Sequence, residues 1–125
     1  MLTADVAPPS SLLLVMDRSV GRIPENMDEG IVASTSTCVA IGTLSSLDGS
    51  THVTLDNGSE PSGFGSPVFD GVLGTPDKKL AVCSVLDEVI LEIEVAAEQA
   101  RVRIWASDRV EPSEIYILVS HVGLA

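Results

Sequence analysis

Few side chains in this sequence are spaced for catalysis. The two histidines, His52 and His121, each fall in a strand-like stretch on a polar or mixed face. Neither stands in a serine–acid setting of the kind a hydrolytic triad requires. Gly63-Phe64-Gly65-Ser66 sets a serine among glycines, but it lacks the Gly-x-Ser-x-Gly spacing and strand-to-helix turn of a nucleophile elbow. Cys38 and Cys83 with the two histidines equal a Cys₂His₂ count, yet all four are dispersed singly, without the close pairs of a zinc site. Asp48 and Asp56 do not supply the alternating oxygens of a calcium loop. Neither a metal nor a cofactor is expected. Carboxylate pairs are plentiful: Asp28 with Glu29, Asp87 with Glu88, Glu92 with Glu94. Glycosidase chemistry would need two of them across a cleft, one held protonated; a solvated, charged sheet face is the simpler reading. The expectation is a protein that is not an enzyme, and what remains is binding.

Charge says what kind of binding. The chain has 125 residues and a formal net charge of −11, with 18 acidic residues against 7 basic ones. Nucleic acid is excluded as a partner, because phosphate neutralisation needs clustered Lys and Arg. One Trp, one Tyr and two Phe give no stacking platform for single-stranded bases. There is no basic patch for anionic lipid, and the run Leu12–Met16 is too short to cross a bilayer. Met1-Leu2-Thr3-Ala4-Asp5 does not resemble a signal peptide. The expectation is a soluble, cytoplasmic protein whose partner is another protein, basic rather than acidic. Acids at Asp48, Asp56 and Asp70 sit in turns and serve backbone geometry. Uncompensated charge is heaviest in residues 1–75, where nine acids face only Arg18 and Arg22. That points a basic partner toward Asp28 and Glu29.

The elements that would position these groups are strands. Hydrophobic residues make up 45% of the chain, many of them β-branched, and the mean hydropathy of +0.34 argues against disorder. Short apolar runs recur between turn signals, the pattern of an all-β sandwich or barrel. They are Leu12–Met16, Ile31–Leu44 (one bent strand or two), Thr51–Leu55, Val68–Leu73, Leu80–Val85, Glu88–Val95, Ala100–Trp105 and Ile115–Val122. Asn57-Gly58 carries the residues of a type I′ turn. The stretch 58–67, rich in Gly, Ser and Pro, reads as one long flexible loop. In 88–95, Val89, Leu91, Ile93 and Val95 share one face, with Glu88, Ile90, Glu92 and Glu94 on the other. Arg101 and Arg103 have the spacing to pair with Glu92 and Glu94 if their strands are hairpin neighbours. Both cysteines lie in apolar runs and read as buried free thiols. The chain therefore reads as one domain, 1–125, folded as an antiparallel β-sandwich of about eight strands.

The order of features resembles the competence protein J family, inhibitors of a DNA-entry nuclease. The strand Leu12–Met16 and a turn-rich loop lead into Asn26-Met27-Asp28-Glu29-Gly30-Ile31 and a small-residue strand, as in that family's acidic segment. A late strand ending Arg103-Ile104-Trp105, a polar loop and a last strand with Ile115-Tyr116-Ile117 are similar to its Trp-bearing and Tyr-Ile strands. The chain departs from the pattern at Met27, where the family has tryptophan, and in the missing aromatics of the first strand. The resemblance implies the fold first and an inhibitor's role second. The leading expectation is a non-catalytic protein-binding module, with inhibition of a basic enzyme such as a nuclease as its specific form. The contact residues would be Asp28, Glu29, Arg103, Trp105, Gly63 and Phe64. Arg beside an exposed Trp is a common interface anchor, although Trp105 could instead fill the sheet's second face. Two alternatives stay open. One is a small-molecule-binding module or minor enzyme with a pocket under the 58–67 loop. The other is a structural homo-oligomer, such as a homo-dimer, using the apolar Ile90 among glutamates.

Overall fold

Among the described residues, ten strands build two five-stranded sheets packed face to face. The computed structural model describes residues 1–25, 27, 30–45 and 47–120. In chain order the strands are β1 (Leu2–Val6), β2 (Leu12–Met16), β3 (Val32–Ser34), β4 (Cys38–Gly42), β5 (Thr51–Asp56), β6 (Phe69–Gly74), β7 (Lys79–Ser84), β8 (Val89–Glu94), β9 (Gln99–Ala106) and β10 (Glu114–Ser120). The first sheet runs β1-β5-β10-β9-β6 and the second β3-β4-β2-β7-β8. The expected sandwich is found, with more strands than the sequence announces. β1 went unread because it is a mostly exposed edge strand with no apolar run. The segment 31–44 is two strands, turned at Thr35, whose hydroxyl accepts the amides of Thr37 and Cys38.

All neighbours pair antiparallel except β5 and β10, which are parallel with His52 opposite Glu114. β10 and β6 both run antiparallel to β9, so β5 and β6 point the same way with two strands between them. The chain after β5 cannot turn back as a hairpin. It must cross the outer face of its sheet, a connection usually made by a helix. Here Gly, Ser and Pro forbid one, and residues 57–68 form an irregular crossover instead. The type I′ turn expected at Asn57-Gly58 is therefore absent, since neither residue has a positive φ. The second sheet repeats the device. β2 and β3 each run antiparallel to β4, so their connection cannot close as a hairpin, and its Gly21 and Met27 lie against that sheet's outer face.

These crossovers explain the burial pattern. Between the sheets lie Leu13, Val15, Val39, Ile41, Val53, Leu55 and their counterparts from β6, β7, β9 and β10, nearly all fully buried. A second apolar layer covers the outer face of the second sheet: Leu14, Met16, Cys38, Ala40, Ala81 and Cys83, with Met27 packed on it. β2 is thus buried on both faces, which is why Leu12–Met16 shows no alternation. Gly21 lies so close to the Met16 side chain that a Cβ there would collide with it. The crossover is tied down by Thr37 Oγ1, which accepts the Arg22 amide, and by Thr35 Oγ1, which donates to the Arg22 carbonyl. Cys38 and Cys83 are free and buried on β4 and β7, which flank β2. Two strand spacings, about 9.5 Å, exceed the reach of a disulfide.

β8 departs from its expected register. A bulge at Val82/Cys83 lets Cys83 pair with Val89 and Val82 with Leu91, so Ile90 is the extra residue. Ile90 packs on the core and Val89 is left exposed. The apolar residue that suggested a homo-oligomer face points inward.

Candidate interaction surface

The 57–68 crossover brings four of the expected contact residues together. On β9, alternation sends Val102 and Ile104 into the core and Arg101, Arg103 and Trp105 to the outer face. Tyr116 on β10 sits directly opposite Trp105. The crossover lies over both. Trp105 is only 2% exposed, and its indole N–H donates to the Gly65 carbonyl at 3.1 Å. Its ring meets Tyr116 edge-on, centroids 6.2 Å apart, and Phe64 packs on Tyr116 at 6.4 Å. Gly63 and Gly65, at φ +89° and +75°, turn the chain around Phe64 in a region open to glycine and closed to most other residues. Trp105 therefore fills the second face of the sheet, the second of the two roles weighed for it.

Polar groups fasten the strap. The Tyr116 hydroxyl donates to Asp56 Oδ2 at 2.7 Å and lies 3.2 Å from the Ser59 carbonyl. That bond, against partial burial, holds the Asp56 carboxyl below its ordinary range. Burial first, and the bond to a carboxylate second, push the Tyr116 phenol up to about 12. Arg103 donates Nη1 to Glu60 at 3.0 Å and stacks 5.7 Å from the Trp105 ring centroid. Its Nε is buried with no partner among the described residues. Arg101 forks onto Asp70 through Nε and Nη2, at 2.9 and 2.7 Å, and this bond holds the Asp70 carboxyl low. The expected partners of these arginines, Glu92 and Glu94, belong to the other sheet. The turn after β8 switches sheets, so β8 and β9 are not hairpin neighbours. Glu94 lies opposite Lys79 instead.

Other expected positions fall elsewhere. Asp28, Glu29 and His121 lie outside the described residues. His52 stands on the outer face of β5, its Nδ1 2.9 Å from Asp5 across the β1 pair. Side chains occupy the space under the strap. One concavity of about 250 Å³ is bounded by Asn57 at the start of the strap with Glu94, Gln99, Ala100 and Val119, and another lies beside β3, bounded by Pro24, Glu25, Met27 and Ser34. Among the described residues no cluster of three or more His, Cys, Asp or Glu could hold a metal ion. No helix there is long and apolar enough to cross a membrane. Sequence reasoning did not find Glu60, Asp56 or Tyr116 as fasteners, because their partners are remote in the chain.

No family model and no curated protein sequence matches the chain. A solved structure does: the crystal structure of ComJ from Bacillus subtilis, described as an inhibitor of the DNA-degrading activity of NucA. The TM-score is 0.68, over 98% of this chain and 96% of that one, at 10% sequence identity. The fold is shared with ComJ. The family resemblance drawn from strand order and a few residues is borne out at that level. ComJ's near-complete coverage also takes in both long connections, the parts whose sequence gave the weakest structural signal.

Proposed function

We propose that this chain is a non-catalytic, cytoplasmic protein-binding module that inhibits a basic, DNA-degrading enzyme. The observation that carries the reading is the fold shared end to end with ComJ, itself described as a nuclease inhibitor. Two features support it. A net charge of −11 favours encounter with a basic protein and opposes binding to DNA. Cys38 and Cys83 stay free and separated, as suits a reducing compartment. In this reading the working parts are Asp28 and Glu29, between β2 and β3 in the sequence, and Gly63 and Phe64 on the strap. Trp105 and Arg103 then act from below, setting the shape of the strap rather than touching the partner.

The test is a DNA-degradation assay with a purified basic nuclease of the kind ComJ inhibits. Inhibition should saturate at one chain per nuclease and be independent of DNA concentration. Inhibition that instead tracks the DNA, or full nuclease activity at large excess of this chain, would contradict the proposal.

A further inference from the structure

The four sheet ends differ in what they leave open. β3 is three residues long. β6 has its Gly74 amide taken by the Ser36 carbonyl. β1 opens at the same flank of the sandwich as β8, and its exposed acid, Asp5, is engaged by His52. β8 runs six residues with no strand beyond it. Val95 N–H bonds to the carbonyl of Lys78, just before β7, so strand alternation turns the amides and carbonyls of Leu91 and Ile93 toward β7 as well. Those of Glu92 and Glu94 point away, and no described group takes them. On the core side, Ile90, Leu91 and Ile93 remain half-buried where the matching residues of β2 and β7 are fully buried. Among the described residues the edge therefore has no hydrogen-bonding neighbour and only partial apolar cover.

Charge selects what could supply them. Glu92 faces Ala81 across the ladder, and neither Glu88 nor Glu92 has an ion-pair partner among the described residues. A second copy pairing antiparallel here would set glutamate against glutamate, which opposes self-association. The same row favours lysine or arginine at alternate positions of an incoming strand.

We propose that β8 is a docking edge for an extended basic segment of a partner protein, added as a sixth strand with its cations beside Glu92 and Glu94. This rests on the reading of the chain as a binder of a basic protein, and adds a contact surface beyond the crossovers. The probe is a synthetic peptide alternating Lys and Val, with an alternating Glu-Val peptide as its counterpart, each added to the full chain. Amide exchange at Glu92 and Glu94 should slow about tenfold with the Lys-Val peptide and not with the Glu-Val one. Glu92→Pro removes an outward amide without breaking the β7 ladder, and it should abolish the protection. The double charge reversal Glu92→Lys with Glu94→Lys should do the same should the proline variant misfold. Protection elsewhere, protection by both peptides, or protection that survives in a folded variant would overturn the proposal. In the nuclease assay, a folded Glu92→Pro chain that still inhibits would overturn the edge and leave the inhibitor reading standing. If the wild type fails to inhibit, the inhibitor reading falls and the peptide result still decides the edge.

Discussion

Replacing Tyr116 with phenylalanine tests how the 57–68 strap is held. The hydroxyl donates at 2.7 Å to a carboxylate only 17% exposed, with the Ser59 carbonyl 3.2 Å away. Hydrogen bonds to charged groups contribute roughly 1.5–3 kcal/mol, and partial exposure places this one at the lower end, about 1.5 kcal/mol. For a chain of this length that corresponds to a fall in Tm of about 5 °C at neutral pH. The alkaline limb supplies a second reading. The folded phenol is raised from 10 to about 12. The unfolded chain gives up that proton first, so the contribution is complete below pH 10 and is lost as pH climbs from 10 toward 12. Its size is on the order of 2–3 kcal/mol over that interval. Y116F has no phenol to titrate, so its disadvantage against wild type should shrink across the same window. Thermal melts followed by circular dichroism, with Trp105 fluorescence as a local reporter, give both numbers. The only tyrosine in the chain makes the phenolate absorbance unambiguous. An unchanged midpoint in Y116F, or a wild-type phenol titrating at 10, would refute the reasoning.

Other expectations follow from buried polar and thiol groups. Asp17 is 1% exposed and accepts the amide and hydroxyl of Ser19 and the amide of Asp77 at 2.7–2.9 Å. Burial alone would raise its carboxyl, but these bonds together hold it below the ordinary 3.8. Its contribution is therefore present above pH 4 and lost as pH falls further. Asp17→Asn, which turns an NH₂ toward one of those donors, should cost about 2–3 kcal/mol at neutral pH and flatten the acid limb in urea titrations. Burial pushes the Cys38 thiol up to about 12 and raises Cys83, so neither should react with a thiol reagent until the chain unfolds, when both should. A Cβ added at Gly71 would come within 2.7 Å of the Phe69 ring. Gly71→Ala should thus cost about 1–2 kcal/mol, read as a lower urea midpoint.

How much was legible before the coordinates depended on burial of one face or two. β9 alternates because its inner Val102 and Ile104 meet core while its outer Arg101 and Arg103 meet acids, and the sequence carries that period directly. β2 does not alternate, since the 17–31 crossover buries Leu14 and Met16 as deeply as the core buries Leu13 and Val15. Chain direction was not legible at all. A turn that closes a hairpin and a turn that switches sheets use the same residues, so the step from β8 to β9 misassigned the partners of Arg101 and Arg103. Within the site, the two-residue spacing of Arg103 and Trp105 placed both on one face correctly. Their fasteners came from Glu60 and Gly65, some forty residues earlier, and only the parallel direction of β5 and β6 brings that segment across the sheet. The bulge that turns Ile90 inward left no mark in the sequence pattern.

The proposed function, binding to another protein, is tested most directly by equilibrium titration against a nuclease of the kind ComJ inhibits, without DNA. Binding should be saturable and one-to-one, and should weaken as salt rises, because an acidic surface meets a basic one. The absence of binding at near-physiological salt, or binding that strengthens with salt, would contradict it.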